Sequence, residues 1–405
     1  MPYFDHAATS WPKPPGVAEA MTAALEIAGA PGRGGHRGAL EGSRLIAQAR
    51  NAVARLLGVA DDRRVVFTSG GTESLNLALS VLLHPGDHVV TTAAEHNSVL
   101  RPLAARKSRG LGAFSIAPVE PDGSFQVQSI LGALTATTRA VVATHISNVT
   151  GVIQPIEELA EALAERRIPL LVDAAQSVGH WPIQADDFPG VVWAASGHKG
   201  LLGPLGTGIV VLPTVSDERW GLWKSGGTGS ASESLEMPDD APDRFEAGNP
   251  ALPAIAGFRA RAGDLASEPT TSPFAGMHGG PASGSGAELA IPACGYSGPL
   301  PHRSASQTPT SVIVDGWDVH DLAAVLDASF DIRVRASRHC ATACARIDRL
   351  RERGQLRSAS RGMVDDTRVV GLADQAAARA PVTLEPIRRG CSSRLGATTR
   401  WCNRN

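Results

Sequence analysis

Hydrophobic residues recur along the chain with two different periods from about residue 15 to residue 215. Segments 40–57, 74–83 and 156–163 carry apolar residues at the three- and four-residue spacing of an amphipathic helix. Short apolar runs between such segments predict strands at 65–67, 89–90, 140–143, 168–172, 191–194 and 209–212. Strands that alternate with helices are typical of an α/β fold, in which helices cover both faces of a mostly parallel sheet.

The periodic pattern stops after about residue 262. Nearly half of residues 263–307 are Gly, Pro or Ser, and no apolar period is sustained there. A strand at 311–314 and a helix at 319–326 follow, whereas the Arg-rich end from about residue 381 is aperiodic. We predict that residues 1–15 form the N-terminal segment of a small domain and residues 16–258 a large domain. An atypical linker (259–309), the small C-terminal domain (310–380) and an atypical tail (381–405) follow.

The composition of segment 263–307 and of the tail resembles translation in a shifted reading frame, with the original frame restored near Thr310. Resequencing the coding DNA tests this hypothesis, which fails if no compensating insertion and deletion bracket the segment.

Charge and cysteine usage narrow the class of protein. The formal net charge of −2 gives no basic field that would attract nucleic acid or anionic lipid. No apolar run approaches the length of a membrane span, and the first residues lack the pattern of a secretory signal. All 5 cysteines lie in the last third of the chain without a Cys-x-x-Cys pair, so we expect reduced thiols, no metal site and a cytoplasmic protein.

The segment Ser69-Gly70-Gly71-Thr72-Glu73 follows a predicted strand and opens a predicted helix. Small residues let an anion approach the backbone, a helix N-terminus offers free N–H groups, and Thr72 adds a hydroxyl. These features predict a phosphate site that includes Gly71 and Thr72. An ordinary helix cap is the alternative for this segment considered alone.

Polar residues also follow other predicted strands. His96 comes after the strand near residue 89, and Asn148 after the strand that begins near residue 140. Taken alone, His96 fits a structural role and Asn148 an ordinary turn. Asp173 is more informative, because it ends the apolar run 169–172, where a carboxylate is costly unless it is paired. Gln176 follows three residues later.

A lysine completes the pattern. Lys199 follows the strand 191–194 within the segment Ser196-Gly197-His198-Lys199-Gly200. A lysine that holds a pyridoxal cofactor needs a partner acid that keeps the pyridine nitrogen protonated, and Asp173 fits that need. The phosphate site, His96, Asp173 and Lys199 all lie at strand ends of one predicted sheet, so together they predict a pyridoxal phosphate site.

At this point the sequence resembles the class V aminotransferase family of fold type I pyridoxal phosphate enzymes, and within it the SufS-like cysteine desulfurases. The resemblance runs from Tyr3 to about Ala256 and resumes from Thr310 to about Ala376. Its most specific stretches are 69–73, 171–177, 196–199 and 244–248. It implies a large domain with a mostly parallel seven-stranded sheet and a smaller α+β C-terminal domain.

The resemblance also implies roles for individual residues. Lys199 attaches the cofactor and moves the α-proton, Asp173 pairs with the pyridinium nitrogen, and His96 stacks on the ring and acts as acid or base. Gln176 and Asn148 lie near the ring hydroxyl, with Asn148 also close to the substrate. The phosphate is held by Gly71, Thr72, Ser196 and His198. A homodimer is implied as well, with the segment around Thr228 reaching the partner's phosphate site.

The desulfurase assignment rests on Cys340 in the segment 335–341. Arg338 and His339 place its thiol in a positive environment that favours the thiolate, the nucleophilic form. The resemblance implies that Cys340 takes sulfur from L-cysteine as a persulfide and that alanine leaves. Arg357 matches the arginine that grips the substrate carboxylate, a role suited to a bidentate guanidinium. Considered alone, Cys340 fits a small buried apolar residue better, and the flanking loop is what favours the nucleophile.

Two alternatives stay open at the level of sequence. The first is another class V enzyme: either an aminotransferase or kynureninase-like lyase in which Cys340 is incidental, or a selenocysteine lyase or cysteine sulfinate desulfinase, which the sequence does not separate from a cysteine desulfurase. The second is a pyridoxal phosphate-binding protein without turnover. The expected partners are L-cysteine, a second copy of the chain and a sulfur-acceptor protein, with iron–sulfur cluster assembly as one destination of the sulfur.

Overall fold

The structure is a computed structural model of the chain. It describes residues 2–27, 29–32, 34–214, 221–230, 233–267, 309–312, 318–337 and 355–358. Cys340, most of segment 263–307 and the whole tail therefore lie outside the described residues.

A seven-stranded sheet forms the centre of the structure, in the order β1-β7-β6-β5-β4-β2-β3. Its strands are β1 (Val65–Thr68), β2 (His88–Thr92), β3 (Ala113–Ala117), β4 (Thr138–Thr144), β5 (Leu170–Asp173), β6 (Val191–Ser196) and β7 (Gly208–Val211). The strands are parallel except β7, which runs antiparallel to both β1 and β6. The predicted α/β class with a mostly parallel seven-stranded sheet is confirmed.

Eight helices lie within the described residues. They are α1 (Pro15–Leu25), α2 (Arg37–Leu56), α3 (Gly71–Leu82), α4 (Asn97–Ser108), α5 (Val127–Gly132), α6 (Ile156–Ala164), α7 (Leu252–Ser267) and α8 (Val319–Phe330). Apolar residues of α2, α5, α6 and α7 pack on one face of the sheet, and those of α3 and α4 pack on the other.

Both faces of the central strands are buried, which explains why those strands read as continuous apolar runs. Leu170 and Val172 face one helical layer, whereas Leu171 faces the other. Each fully buried side chain of this size stabilises the fold by roughly 1.5–3 kcal/mol. Strand β3 has no such signal, because it lies at the sheet edge and its residues Ala113 and Ile116 are exposed.

Helix α7 corrects the predicted loss of regular structure after residue 262, because it continues to Ser267. Phe258 and Ala262 are fully buried, and Leu265 packs on the same core. In the sequence, Gly263 and Asp264 interrupt the apolar spacing of this helix, so the pattern predicts no helix beyond them. The helix also crosses residue 258, where we placed a domain boundary; the division into domains stays a prediction.

A second sheet has three antiparallel strands in the order β8-β10-β9, namely β8 (Thr310–Val312), β10 (Gln355–Ser358) and β9 (Arg335–Ser337). Strand β8 and helix α8 lie where the sequence predicts a strand and a helix. The start of the chain lies beside this region, because the Phe4 N–H donates to the Arg333 carbonyl at 2.8 Å and the Arg333 N–H donates to the Pro2 carbonyl at 3.1 Å.

Candidate active site

A cleft opens at the carboxyl ends of β4, β5 and β6, beside the N-termini of α3 and α4. It encloses about 380 Å³ of empty space, its open mouth included. Such clefts form where parallel strands give way to loops. Eight of the ten predicted cofactor residues line it: Gly71, Thr72, His96, Asn148, Asp173, Gln176, Ser196 and Lys199. The structure thus brings together residues that lie up to 128 positions apart, from Gly71 to Lys199 (199 − 71 = 128).

One end of the cleft is suited to an anion. Helix α3 begins after Gly70, which makes no side-chain cap, so the first N–H groups of the helix are available to a ligand. A Cβ on Gly71 would collide with the Ser196 hydroxyl, so the backbone and Ser196 approach each other closely only because this residue is glycine. The hydroxyls of Thr72 and Ser196 lie at the same end.

His96 is held in place by the start of α4. Its Nδ1 accepts the Ser98 N–H at 3.1 Å and lies 2.9 Å from the Ser98 hydroxyl. The Ser98 hydroxyl lies in turn 2.9 Å from the Thr72 hydroxyl, so it joins His96 to the anion end of the cleft. Sequence reasoning missed Ser98, because its contact with Thr72 joins residues that lie 26 positions apart.

Asp173 ends β5 at the base of the cleft and is 6% exposed. Its Oδ1 accepts the Ala175 N–H at 3.0 Å. Beside it lies Glu95, which is fully buried and accepts hydrogen bonds from the Thr92 hydroxyl at 2.6 Å and the Thr144 N–H at 2.9 Å.

Burial raises the pKa of Glu95 to about 8; the two hydrogen bonds oppose this effect and the nearby charge of Asp173 adds to it. Glu95 is therefore neutral at pH 7. It therefore adds no second negative charge next to Asp173.

Lys199 follows β6 in a tight turn, in which the Leu202 N–H donates to the Lys199 carbonyl at 2.9 Å. Its side chain lines the same cleft as Asp173, as the paired-residue prediction requires. The cleft therefore offers an amine nucleophile, a buried carboxylate and an anion site.

His198 does not line the cleft. Its carbonyl accepts the Ser10 hydroxyl at 3.0 Å and the Lys13 amine at 3.1 Å, which joins the start of the chain to this loop. Burial lowers the pKa of His198 to about 4, and the charges of Lys199 and Lys13 add to that effect, so its ring is neutral. Within the described structure its buried Nδ1 has no hydrogen-bond partner.

The remaining predicted residues have different outcomes. The Gln176 amide nitrogen donates to the Ala7 carbonyl at 2.9 Å, so the start of the chain adjoins the wall of the cleft. Thr228 lies outside the cleft, and its hydroxyl donates to the Ser230 carbonyl at 3.0 Å. The backbone of Arg357 lies in β10, opposite Ser311 and Arg335. Cys340 lies outside the described residues, so its predicted role stays a prediction.

The motif 244–248 supports the cleft from behind. The Glu246 carboxylate forms two hydrogen bonds with the Arg50 guanidinium, both at 2.8 Å, and accepts the Phe67 N–H at 2.6 Å. Arg50 also donates to the Val65 carbonyl. This buried pair anchors β1, the strand that leads into the anion end of the cleft.

The anion end, the buried Asp173 and Lys199 fit pyridoxal phosphate, which carries a phosphate, a ring nitrogen and a carbonyl. The close approach that glycine allows between the backbone at position 71 and the Ser196 hydroxyl fits it as well. Among the described residues no group of acidic, histidine or cysteine side chains could hold a metal ion, and no helix is long and apolar enough to cross a membrane.

Comparison with known proteins places this chain in a family. Residues 2–360 match the family model described as Aminotransferase class-V. A probable cysteine desulfurase from Methanothermobacter thermautotrophicus is 31% identical over 87% of this chain and 88% of that protein. The cysteine desulfurase IscS from Aeromonas salmonicida is 38% identical over 51% of this chain and 52% of that protein, so the match spans about half the length of this relative.

Solved structures agree in fold. The apo structure of a cysteine desulfurase from Thermococcus onnurineus NA1 superposes with a TM-score of 0.76 at 26% identity and covers 93% of this chain and 95% of that one. Cysteine desulfurase CsdA from Escherichia coli gives a TM-score of 0.74 at 23% identity, covering 93% of this chain and 94% of that one, which shows the fold alone. The predicted fold type I architecture is confirmed, and the chain belongs to the class V aminotransferase family.

Proposed function

We propose that the protein is a pyridoxal phosphate-dependent cysteine desulfurase, which converts L-cysteine to L-alanine and retains the sulfur as a persulfide on Cys340. The observation that carries the proposal is that Asp173, Lys199 and the anion end formed by Gly71 and Thr72 line one cleft. The names of the relatives favour this reaction over other class V chemistry.

In the proposed mechanism the residues of the cleft bind and orient the cofactor. Gly71, Thr72 and Ser196 would hold the phosphate, and Asp173 would hold the proton of the ring nitrogen. The role of His198 at the phosphate rests on the family resemblance alone, because this residue does not line the cleft. When bound, the cofactor supplies an electron sink for the pair released at the substrate α-carbon. Gln176 and Asn148 contact the ring hydroxyl side.

The proton and sulfur steps belong to three residues. Lys199 removes the proton from the α-carbon, and His96 covers the ring face and exchanges protons with the substrate. The Cys340 thiolate attacks the substrate sulfur, so that an S–S bond forms as the C–S bond breaks. The electron pair of that bond stays on the substrate β-carbon, which takes up a proton. Lys199 returns a proton to the α-carbon, and the product leaves as alanine. Arg357 binds the substrate carboxylate.

Further expectations accompany this proposal. The protein acts as a cytoplasmic homodimer, with the segment around Thr228 completing the partner's phosphate site, and passes its sulfur to an acceptor protein, for instance in iron–sulfur cluster assembly. Assignment to the SufS-like group rests on segment 335–341 and stays part of the proposal.

Incubation of the purified protein with L-cysteine and a thiol reductant tests the reaction. We expect equal amounts of alanine and sulfide, lost in Cys340→Ser and kept in the matched control Cys344→Ser. Activity that survives Cys340→Ser would indicate another class V reaction. A visible cofactor band without turnover would indicate a protein that only binds pyridoxal phosphate.

A second experiment tests the cofactor assignment alone. Replacing Lys199 by Ala removes the amine that attaches the cofactor, so we expect the visible absorbance of the purified protein to be lost. A band that persists in Lys199→Ala would contradict the assignment of this lysine.

A further inference from the structure

Ser98 has no part in the roles assigned so far, yet it lies between two residues that do. It is the second residue of α4, is 8% exposed and lines the cleft. Its backbone nitrogen and its hydroxyl lie 3.1 Å and 2.9 Å from Nδ1 of His96. On its other side, the Thr72 hydroxyl lies 2.9 Å away.

These contacts fix the direction of each hydrogen bond. A backbone N–H can only donate, so Nδ1 of His96 accepts and carries no proton. The single proton of the Ser98 hydroxyl is then donated to the same nitrogen. Because two hydroxyl oxygens 2.9 Å apart need one proton between them, Thr72 donates to Ser98. The protons therefore point from Thr72 through Ser98 to His96.

An anion at the start of α3 changes this order. A phosphate oxygen accepts hydrogen bonds only, so Thr72 must turn its proton to the phosphate in order to bind it. The Thr72 and Ser98 oxygens would then face each other without a proton. The Ser98 proton then turns to Thr72, and Nδ1 of His96 loses the hydroxyl donor while it keeps the backbone donor.

We propose that Ser98 is a positioning residue for His96. When the phosphate site is filled, the Ser98 hydroxyl turns its proton from His96 to Thr72, and His96 loses a hydrogen bond. The proposal rests on the proposed function in one respect, namely that the anion bound by Thr72 is the phosphate of the cofactor. It adds that the hydrogen bonding of the acid–base histidine depends on whether that phosphate is bound.

Nitrogen-15 NMR of the full-length chain tests the proposal. The protein is labelled at histidine, freed of carbonyl cofactors with hydroxylamine and titrated with inorganic phosphate, whose binding is measured by phosphorus-31 NMR. The His96 signals are identified by their loss in His96→Asn. We expect an unprotonated Nδ1 in the free chain, and a downfield shift of Nδ1 when phosphate binds, because that nitrogen loses one donor.

Variants distinguish a shift that depends on the Ser98 and Thr72 hydroxyls from a shift caused directly by the charge of the phosphate. Ser98→Ala and Thr72→Val each remove one hydroxyl, so we expect most of the phosphate-induced shift to be lost in both. Ser98→Thr keeps the hydroxyl and restores the shift. Ser108→Ala, on the same helix but with its hydroxyl bonded to the Ala105 carbonyl, keeps the full shift.

Two results would overturn the proposal. One is bound phosphate with an unchanged Nδ1 signal in the parent protein, and the other is a full shift in Ser98→Ala; both leave the proposed reaction intact. Failure of phosphate to bind would contradict the phosphate site itself, and with it both this proposal and the assignment of the cofactor.

Discussion

Two carboxylates beside the central sheet are held in opposite ways. Behind β1, Glu246 is paired with Arg50 through two hydrogen bonds of 2.8 Å. Beneath the cleft, Glu95 receives only the Thr92 hydroxyl and the Thr144 N–H, and its pKa is raised by burial to about 8. An ion pair anchors the support of the site, whereas an acid whose pKa is raised by burial lies beside Asp173. The two carboxylates differ in both partner and depth, because the Glu246 side chain is 17% exposed and Glu95 is fully buried.

Removing one partner of the Arg50–Glu246 pair should have the largest effect. Glu246→Ala leaves a buried guanidinium without its carboxylate and the Phe67 N–H without its acceptor, which we expect to cost about 4 kcal/mol of folding free energy. Urea unfolding followed by circular dichroism measures the loss. An unchanged midpoint would show that this pair does not anchor β1.

Glu95→Gln should change how stability depends on pH. A folded pKa of about 8 lies above the usual 4.5, so the parent protein loses stability as pH rises between these values, by about 3 kcal/mol from pH 5 to pH 7. Glutamine has the same shape but does not ionise, so the variant should lack this loss. Unfolding at both pH values measures it.

The exposed Glu161→Gln on α6 is the matched control and should keep the parent's pH dependence. If Glu95→Gln and the parent show the same dependence, Glu95 is ionised in the folded protein at pH 7, contrary to the comparison drawn above.

His145 should give the opposite slope. Burial lowers its pKa to about 4, and its ring contacts Trp181 and Trp193. Because the unfolded chain takes up a proton near pH 6.5 while the folded protein does not, stability should fall by about 2 kcal/mol from pH 6.5 to pH 5. His145→Phe keeps an aromatic ring and should remove this loss, measured by the same unfolding series. An unchanged acid dependence would assign it to other groups.

The smallest effect should come from an exposed ion pair. Arg63 and Asp61 lie 2.8 Å apart, but their side chains are 67% and 43% exposed, so solvent screens their attraction. We expect Arg63→Ala to leave the urea midpoint unchanged. A measurable loss of stability would mean that solvent exposure does not explain why this pair contributes less to folding than Arg50–Glu246.

The sequence predicted the central sheet and most of the cleft, because each functional residue directly follows an apolar strand. Asp173 and Lys199 are such residues, and a strand end fixes their position in any parallel sheet. Strand β3 was missed because an edge strand needs no continuous apolar run. Ser98 and Glu95 were not assigned roles because their meaning depends on contacts across the fold, with Thr72 and Thr144, that local patterns do not contain.

The contacts of residues 4–10 have a consequence for the order in which parts of the fold can form during synthesis. Ala7 and Ser10 are synthesised early, but their hydrogen-bond partners Gln176 and His198 emerge more than 160 residues later, at separations of 169 and 188 positions. Arg333, the partner of Phe4, emerges later still. The hydrogen bonds that Phe4 and Ser10 make with these partners can therefore form only after strands β1 to β6 have been synthesised, so these contacts cannot guide the first steps of folding.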